Sequence, residues 1–225
     1  MKEADIIIKT IMETTDFNKK LNYALILSVI TIIYNTLEGL VSTFFGASDE
    51  TLALFGFGVD SFVEVLSGIG IAHMIFRMKR SEIKERDRFE ITALRITGSA
   101  LYILTIGLIV GAGIAILNKS EPETTVVGII IAVISILTMY LLYREKLKVG
   151  EKLQSQPIIS DAKCTKTCFY LSFILLISSG VYEIWHIPYI DAIGSLGIAW
   201  YAFKEGREAF QNAKSKSLSC ASNCC

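Results

Sequence analysis

The chain has 225 residues, 52% of them hydrophobic, and its 22 basic residues balance its 22 acidic ones. A formal net charge of zero leaves no electrostatic footprint for nucleic acid as a partner. The apolar residues gather into runs near or above the roughly 20 residues that a helix needs to cross a bilayer, which excludes an ordinary soluble domain.

In chain order, the first twenty residues are broken up by Asp5, Glu13, Asp16 and the Lys19 and Lys20 pair, so no cleavable signal peptide is expected. Ile7, Ile8, Ile11 and Met12 give this segment the apolar side of a short interfacial helix. Six apolar spans follow, at about 21–46, 51–76, 91–117, 124–143, 158–184 and 188–210. The expected fold is all-α and polytopic, with six transmembrane helices. Its organisation is an N-terminal segment over 1–20, a membrane domain over 21–210 and a short tail over 211–225. Eighteen Lys and Arg residues fall in the termini, the second and fourth loops and the end of the sixth span, where Lys204 and Arg207 stand, whereas the first, third and fifth loops carry Lys119 alone. The positive-inside rule then places both termini in the cytoplasm of a cell-membrane protein. The outer loops are turns, leaving no room for a catalytic ectodomain, and no enzyme activity is expected.

Ionisable groups at membrane depth are costly, by roughly 2.5–3.5 kcal/mol on insertion scales, and so are functional candidates. The second span reads TLALFGFGVDSFVEVLSGIGIAHMIF. Asp60 and Glu64 are one turn apart on one face, about 6 Å along the axis. Two acids this close repel when ionised, so a bound cation or a shared proton is expected, unless both stay neutral and hydrogen-bonded to neighbouring helices. On the first span Asn35, Glu38 and Ser42 share a face. Glu38 either hydrogen-bonds within the bundle or serves a proton or cation path with Asn35.

The fifth span opens on SDAKCTKTC, in which Asp161, Cys164 and Cys168 fall at i, i+3 and i+7 on one stripe. Asp161 joins the proton or cation path on this reading, while Lys163 and Lys166 snorkel to the cytoplasmic side. Side chains four apart on a helix run parallel, which disfavours a disulfide between the two cysteines. Buried cysteine is also common apolar filler. The other three cysteines, Cys220, Cys224 and Cys225, all lie in the last six residues. They read as an accessory soft-metal capture set or as sites of S-acylation.

These residues resemble the cation diffusion facilitator, or cation efflux, family. In that family two residues four apart on the second helix and two on the fifth form the transport site. VDSFVEV stands close to the family's Asp-x-x-x-Asp element, and the fifth-helix element carries Cys164 and Cys168 where the family usually has His or Asp. PYIDAIGSLGIAWYAFKEGREAF resembles the family's last helix, ending in an acidic and basic amphipathic stretch. The match implies a short subgroup without the usual C-terminal cytoplasmic domain. It also implies efflux of a divalent metal through a site of Asp60, Glu64, Cys164 and Cys168, with protons as counter-ion and a homodimer as assembly. No cofactor is expected beyond the transported ion. A set of two thiols and two carboxylates favours Zn²⁺, with Cd²⁺ as the softer alternative. Two rival readings stay open: a membrane thiol-disulfide oxidoreductase, and a metal sensor that binds without transporting.

Overall fold

The structure is a computed structural model that describes residues 2–48, 51–80, 88–118, 125–186 and 189–215. All regular structure among the described residues is helical: α1 (Lys2–Ser48), α2 (Leu52–Arg80), α3 (Arg88–Asn118), α4 (Val126–Lys152), α5 (Gln156–Trp185) and α6 (Ile190–Ser215). Side chains of α1 are described from Thr15 onward, so the apolar side expected from Ile7 to Met12 lies outside the described residues, as do Cys220, Cys224 and Cys225.

Five of the six helices are long and apolar enough to cross a membrane. The second half of α6 carries Lys204, Glu205, Arg207 and Glu208, which lowers its apolar content. At 26 residues it is nevertheless as long as its neighbours, and it packs against α2, α3 and α5. Large apolar side chains line the outside of the bundle, among them Ile103, Ile106 and Leu117 on α3 and Leu137 and Leu141 on α4, each more than half exposed. A surface of this extent matches hydrocarbon and not water. The chain is an all-α polytopic membrane protein.

The helices associate mainly in pairs, α1 with α2, α3 with α6 and α4 with α5. Small residues set the closest approaches, as expected where lipid offers no hydrophobic drive between helices. A Cβ on Gly58 of α2 would lie 2.6 Å from the backbone nitrogen of Thr43 on α1, so only glycine fits there. Gly98 and Gly206 play the same part between α3 and α6, beside the stacked rings of Tyr102 and Phe210.

The sequence puts the fourth loop at 144–157, but α4 runs on to Lys152 and only 153–155 link it to α5. Gln154 takes the left-handed conformation at φ 49°, and the Ser155 amide donates to the Gly150 carbonyl at 3.0 Å. This is a tight helical hairpin. The helix continues because Leu142, Lys146 and Val149 recur at helical spacing and all are buried. Lys146, which reads as a cytoplasmic loop cation, is therefore an interior residue.

Two apolar clusters fill the bundle. One is built from α2, α3, α5 and α6 around Phe57, Leu104, Leu171 and Ile198. The other is built from α1, α2, α4 and α5 around Leu21, Ile75, Met139 and Ile158. Asp60 and Glu64 lie on α2 between Phe57 of the first cluster and Ile75 of the second.

Candidate metal centre

Because α2 presents Asp60 and Glu64 one turn apart toward α5, the two carboxylates meet the thiol of Cys168. Their ligand atoms all lie within 4.8 Å of one another. A tetrahedral Zn²⁺-type ion bonds oxygen at about 2.0–2.2 Å and sulfur at about 2.3 Å, which sets its ligands roughly 3.5 Å apart. Small side-chain rotations close that difference.

Asp60 is only 1% exposed, and neither of its carboxylate oxygens has a hydrogen-bond partner. Leaving a buried acceptor unsatisfied costs about 1–3 kcal/mol, and more for a charged group. A bound cation is the simplest partner for both oxygens. Glu64 is held differently: Asn35 on α1 donates its side-chain amide to Glu64 Oε2 at 2.8 Å. The other end of the same amide, Asn35 Oδ1, is buried without a partner. Hydrogen bonding leaves it open as a fourth donor.

Glu38 takes a supporting place. The Tyr34 hydroxyl donates to its Oε1 at 2.8 Å and the Ser61 hydroxyl to its Oε2 at 3.1 Å. Both oxygens are thus engaged within the bundle, and Glu38 is joined to α2 one residue from Asp60.

The cysteines divide. Both are thiols, Cys168 buried and Cys164 exposed. Cys164 does not join the compact group of Asp60, Glu64 and Cys168. Four residues turn a helix by about 400°, so Cys164 sits roughly 40° around α5 from Cys168 as well as one turn away. The buried stripe of α5 is instead Asp161, Thr165, Cys168 and Ser172.

Asp161, expected on a proton or cation path, is engaged by a cation. It pairs with Lys146 of α4 at 3.0 Å, and the Lys146 ammonium also donates to the Thr165 hydroxyl oxygen at 3.0 Å. A buried cation, Lys146, thus contacts the stripe that carries Cys168. Lys166 turns away, over the rings of Tyr143 and Tyr170.

A cavity of about 70 Å³ adjoins the group, with Asp60, Glu64 and Cys164 on one side and Glu205 and Glu208 of α6 on the other. Sequence reasoning missed these two α6 acids. They alternate with Lys204 and Arg207, and such a stretch resembles a solvated helix end. The spacing of Glu205, Glu208 and Asn212 at i, i+3 and i+7 was the available signal. Asp191 was also missed as a structural residue. At the first turn of α6 it accepts the α2 amides of Leu52 and Ala53 at 2.8 and 3.2 Å, capping the start of the helix that carries the acid pair.

The bundle and this group define a polytopic helical membrane protein with carboxylates and a thiol converging at mid-helix depth. Residues 25–216 match the family described as the cation efflux transmembrane domain. The chain belongs to that family. It is 26% identical over 192 residues to the manganese efflux system protein MneP of Bacillus subtilis, covering 80% of this chain and 64% of that one. It is 27% identical over 175 residues to the uncharacterized transporter MJ0449 of Methanocaldococcus jannaschii, covering 76% and 62%. The chain thus spans less than two thirds of the length of either relative.

Proposed function

We propose that the protein exports a divalent metal ion from the cytoplasm by alternating access, in exchange for protons. The observation that carries this reading is the pair of partnerless oxygens on buried Asp60, set within 4.8 Å reach of Glu64 and Cys168. Asp60, Glu64 and Cys168 hold the ion, with Asn35 Oδ1 as fourth donor. Metal binding displaces protons from the thiol and carboxyls. Protons entering from the outer side displace the metal in turn, which couples the two fluxes. Lys146 and Asp161 neutralise one another beside the site and leave its charge to the ion.

The thiol biases the site toward Zn²⁺ and Cd²⁺. A second reading, manganese, draws support from the printed name of the Bacillus subtilis relative and from the three oxygen donors beside the one sulfur. The basic residues at the C-terminal ends of α2 and α4, among them Arg77, Lys79, Arg80, Arg144, Lys148 and Lys152, support cytoplasmic termini, and family resemblance supports a homodimer.

The test is metal uptake into proteoliposomes with an inward-directed metal gradient and an opposing pH gradient. Wild type accumulates metal and dissipates the pH gradient, and Asp60→Asn does neither. Equal uptake by the two proteins would remove the assignment, and uptake indifferent to pH would remove the proton coupling. A thiol oxidoreductase would instead trap a disulfide under oxidant, whereas a sensor would bind metal and move none.

A further inference from the structure

We infer that the cavity between α2, α3, α5 and α6 is a second cation site, which loads the transport site from the cytoplasmic half of the bundle. This rests on the transport reading above.

Four carboxyl groups line the cavity, those of Asp60 and Glu64 on one wall and Glu205 and Glu208 on the other. Among the described residues that line it there is no Lys, Arg or His. Concentrated negative charge with low-dielectric walls draws cations in and raises their local concentration. Acidic residues alone would not define a site. Thr97 of α3 supplies the independent sign: it is 6% exposed, lines this cavity, and its hydroxyl has no hydrogen-bond partner. Asn212, 7% exposed and one turn beyond Glu208, adds a carboxamide to the same wall. Leu94 and Leu101 close the space between them.

The volume of about 70 Å³ admits an ion that still carries water, since roughly 10–15 Å³ suffices for one water. The donors fit such a hydrated divalent cation: carboxylates, a hydroxyl and a carboxamide, hard oxygens that share the first coordination shell with water. Cys164 at the edge is the one soft donor. An ion arriving between Glu205 and Glu208 would shed water as it moves from this outer oxygen set to Asp60, Glu64 and Cys168. On this reading Cys164 serves the loading step and Cys168 the transport site.

Equilibrium dialysis of Cd²⁺ alone, and of Mn²⁺ alone, against the purified full chain in detergent tests the assignment. Wild type is expected to show a tight and a weak class of site. The variant E205Q/E208Q keeps the tight class and loses the weak one, whereas C168A, at a residue of the compact group that does not line the cavity, loses the tight class for Cd²⁺ and keeps the weak one. In proteoliposomes E205Q/E208Q raises KM by about tenfold, with a much smaller change in maximal rate. E205D/E208D, which retains both charges, recovers KM and so separates lost charge from misfolding. Cys164→Ser weakens Cd²⁺ at the weak class more than Mn²⁺. Two classes in E205Q/E208Q, an unchanged KM, or no residual binding in C168A would each overturn the loading site. A wild type that binds in two classes yet transports nothing would overturn the transport reading and leave this cavity standing.

Discussion

Asn35 of α1 donates its side-chain amide to Glu64 of α2 at 2.8 Å, while its own carbonyl oxygen remains buried and without a partner. One side chain thereby orients a candidate ligand and offers another. Replacing Asn35 with Leu removes both contributions at similar volume. Loss of an orienting partner of this kind lowers metal affinity by about 10–100-fold. Asn35→Leu should therefore raise the Kd of the tight site by at least that order, as read by competition with a fluorescent chelator. Asn35→Asp, which keeps an oxygen donor, should lose less.

Cys168 is the one soft donor in the compact group. Cys168→Asp makes the set all oxygen, which suits Mn²⁺ better than Cd²⁺. Competition uptake should show Cd²⁺ falling relative to Mn²⁺ by tenfold or more. An unchanged ranking of the two metals would mean that selection lies elsewhere. The corresponding change at Cys164 should move the ranking far less.

Lys146 and Asp161 form a buried ion pair, with side-chain exposures of 3% and 11%. Removing one partner strands a charge. Lys146→Met should destabilise the detergent-solubilised protein by about 3–5 kcal/mol, read by thermal or denaturant unfolding. Removing both, in Lys146→Met/Asp161→Leu, should recover most of the loss, since well-packed apolar pairs often replace buried ion pairs without penalty. If the double variant unfolds as easily as the single one, the pair has a role beyond mutual neutralisation.

Gly58 sets the distance between α1 and α2, where an added Cβ would lie 2.6 Å from Thr43 N and 2.8 Å from Ser42 Cβ. Gly58→Ala forces the helices apart and costs about 1–3 kcal/mol as overpacking. Because the Glu38–Ser61 and Asn35–Glu64 contacts both cross that interface, metal affinity should fall along with stability. Gly107 has open space at its Cβ position, so Gly107→Ala serves as the control and should leave both within error.

What could be read from the sequence followed from regular spacing. Hydrophobic runs gave the helices, and a four-residue interval placed Asp60 and Glu64 on one face. The same interval pairs Cys164 with Cys168, but of the two only Cys168 is buried within reach of both carboxylates, while Cys164 is exposed and lines the adjoining cavity. Lys146 sits in a basic run that resembles a loop until Asp161 supplies its partner across the hairpin. Glu205 and Glu208 were hidden for the opposite reason. Their neighbours in sequence are cations, while their neighbours in space are Asp60 and Glu64. Contacts between helices distant in the chain decide each of these cases, and local patterning does not record them.

The polar contacts between α4 and α5 recur from one end of the pair to the other. Thr125 donates to the Ser179 carbonyl at 2.9 Å, Ser172 to Ser135 at 2.8 Å, and Lys146 engages Asp161 and Thr165 at 3.0 Å. Cross-linked at both ends and the middle, these two helices resist shearing past one another. Cys168 is thus mounted on one stiff lever, while Asp60 and Glu64 ride on another that is fastened to α1 by Asn35 and Glu38. On the proposed function, an ion held between the levers would act as their clasp. A tilt of a few degrees at that joint would separate sulfur from oxygen and release the ion, with every side chain keeping its rotamer.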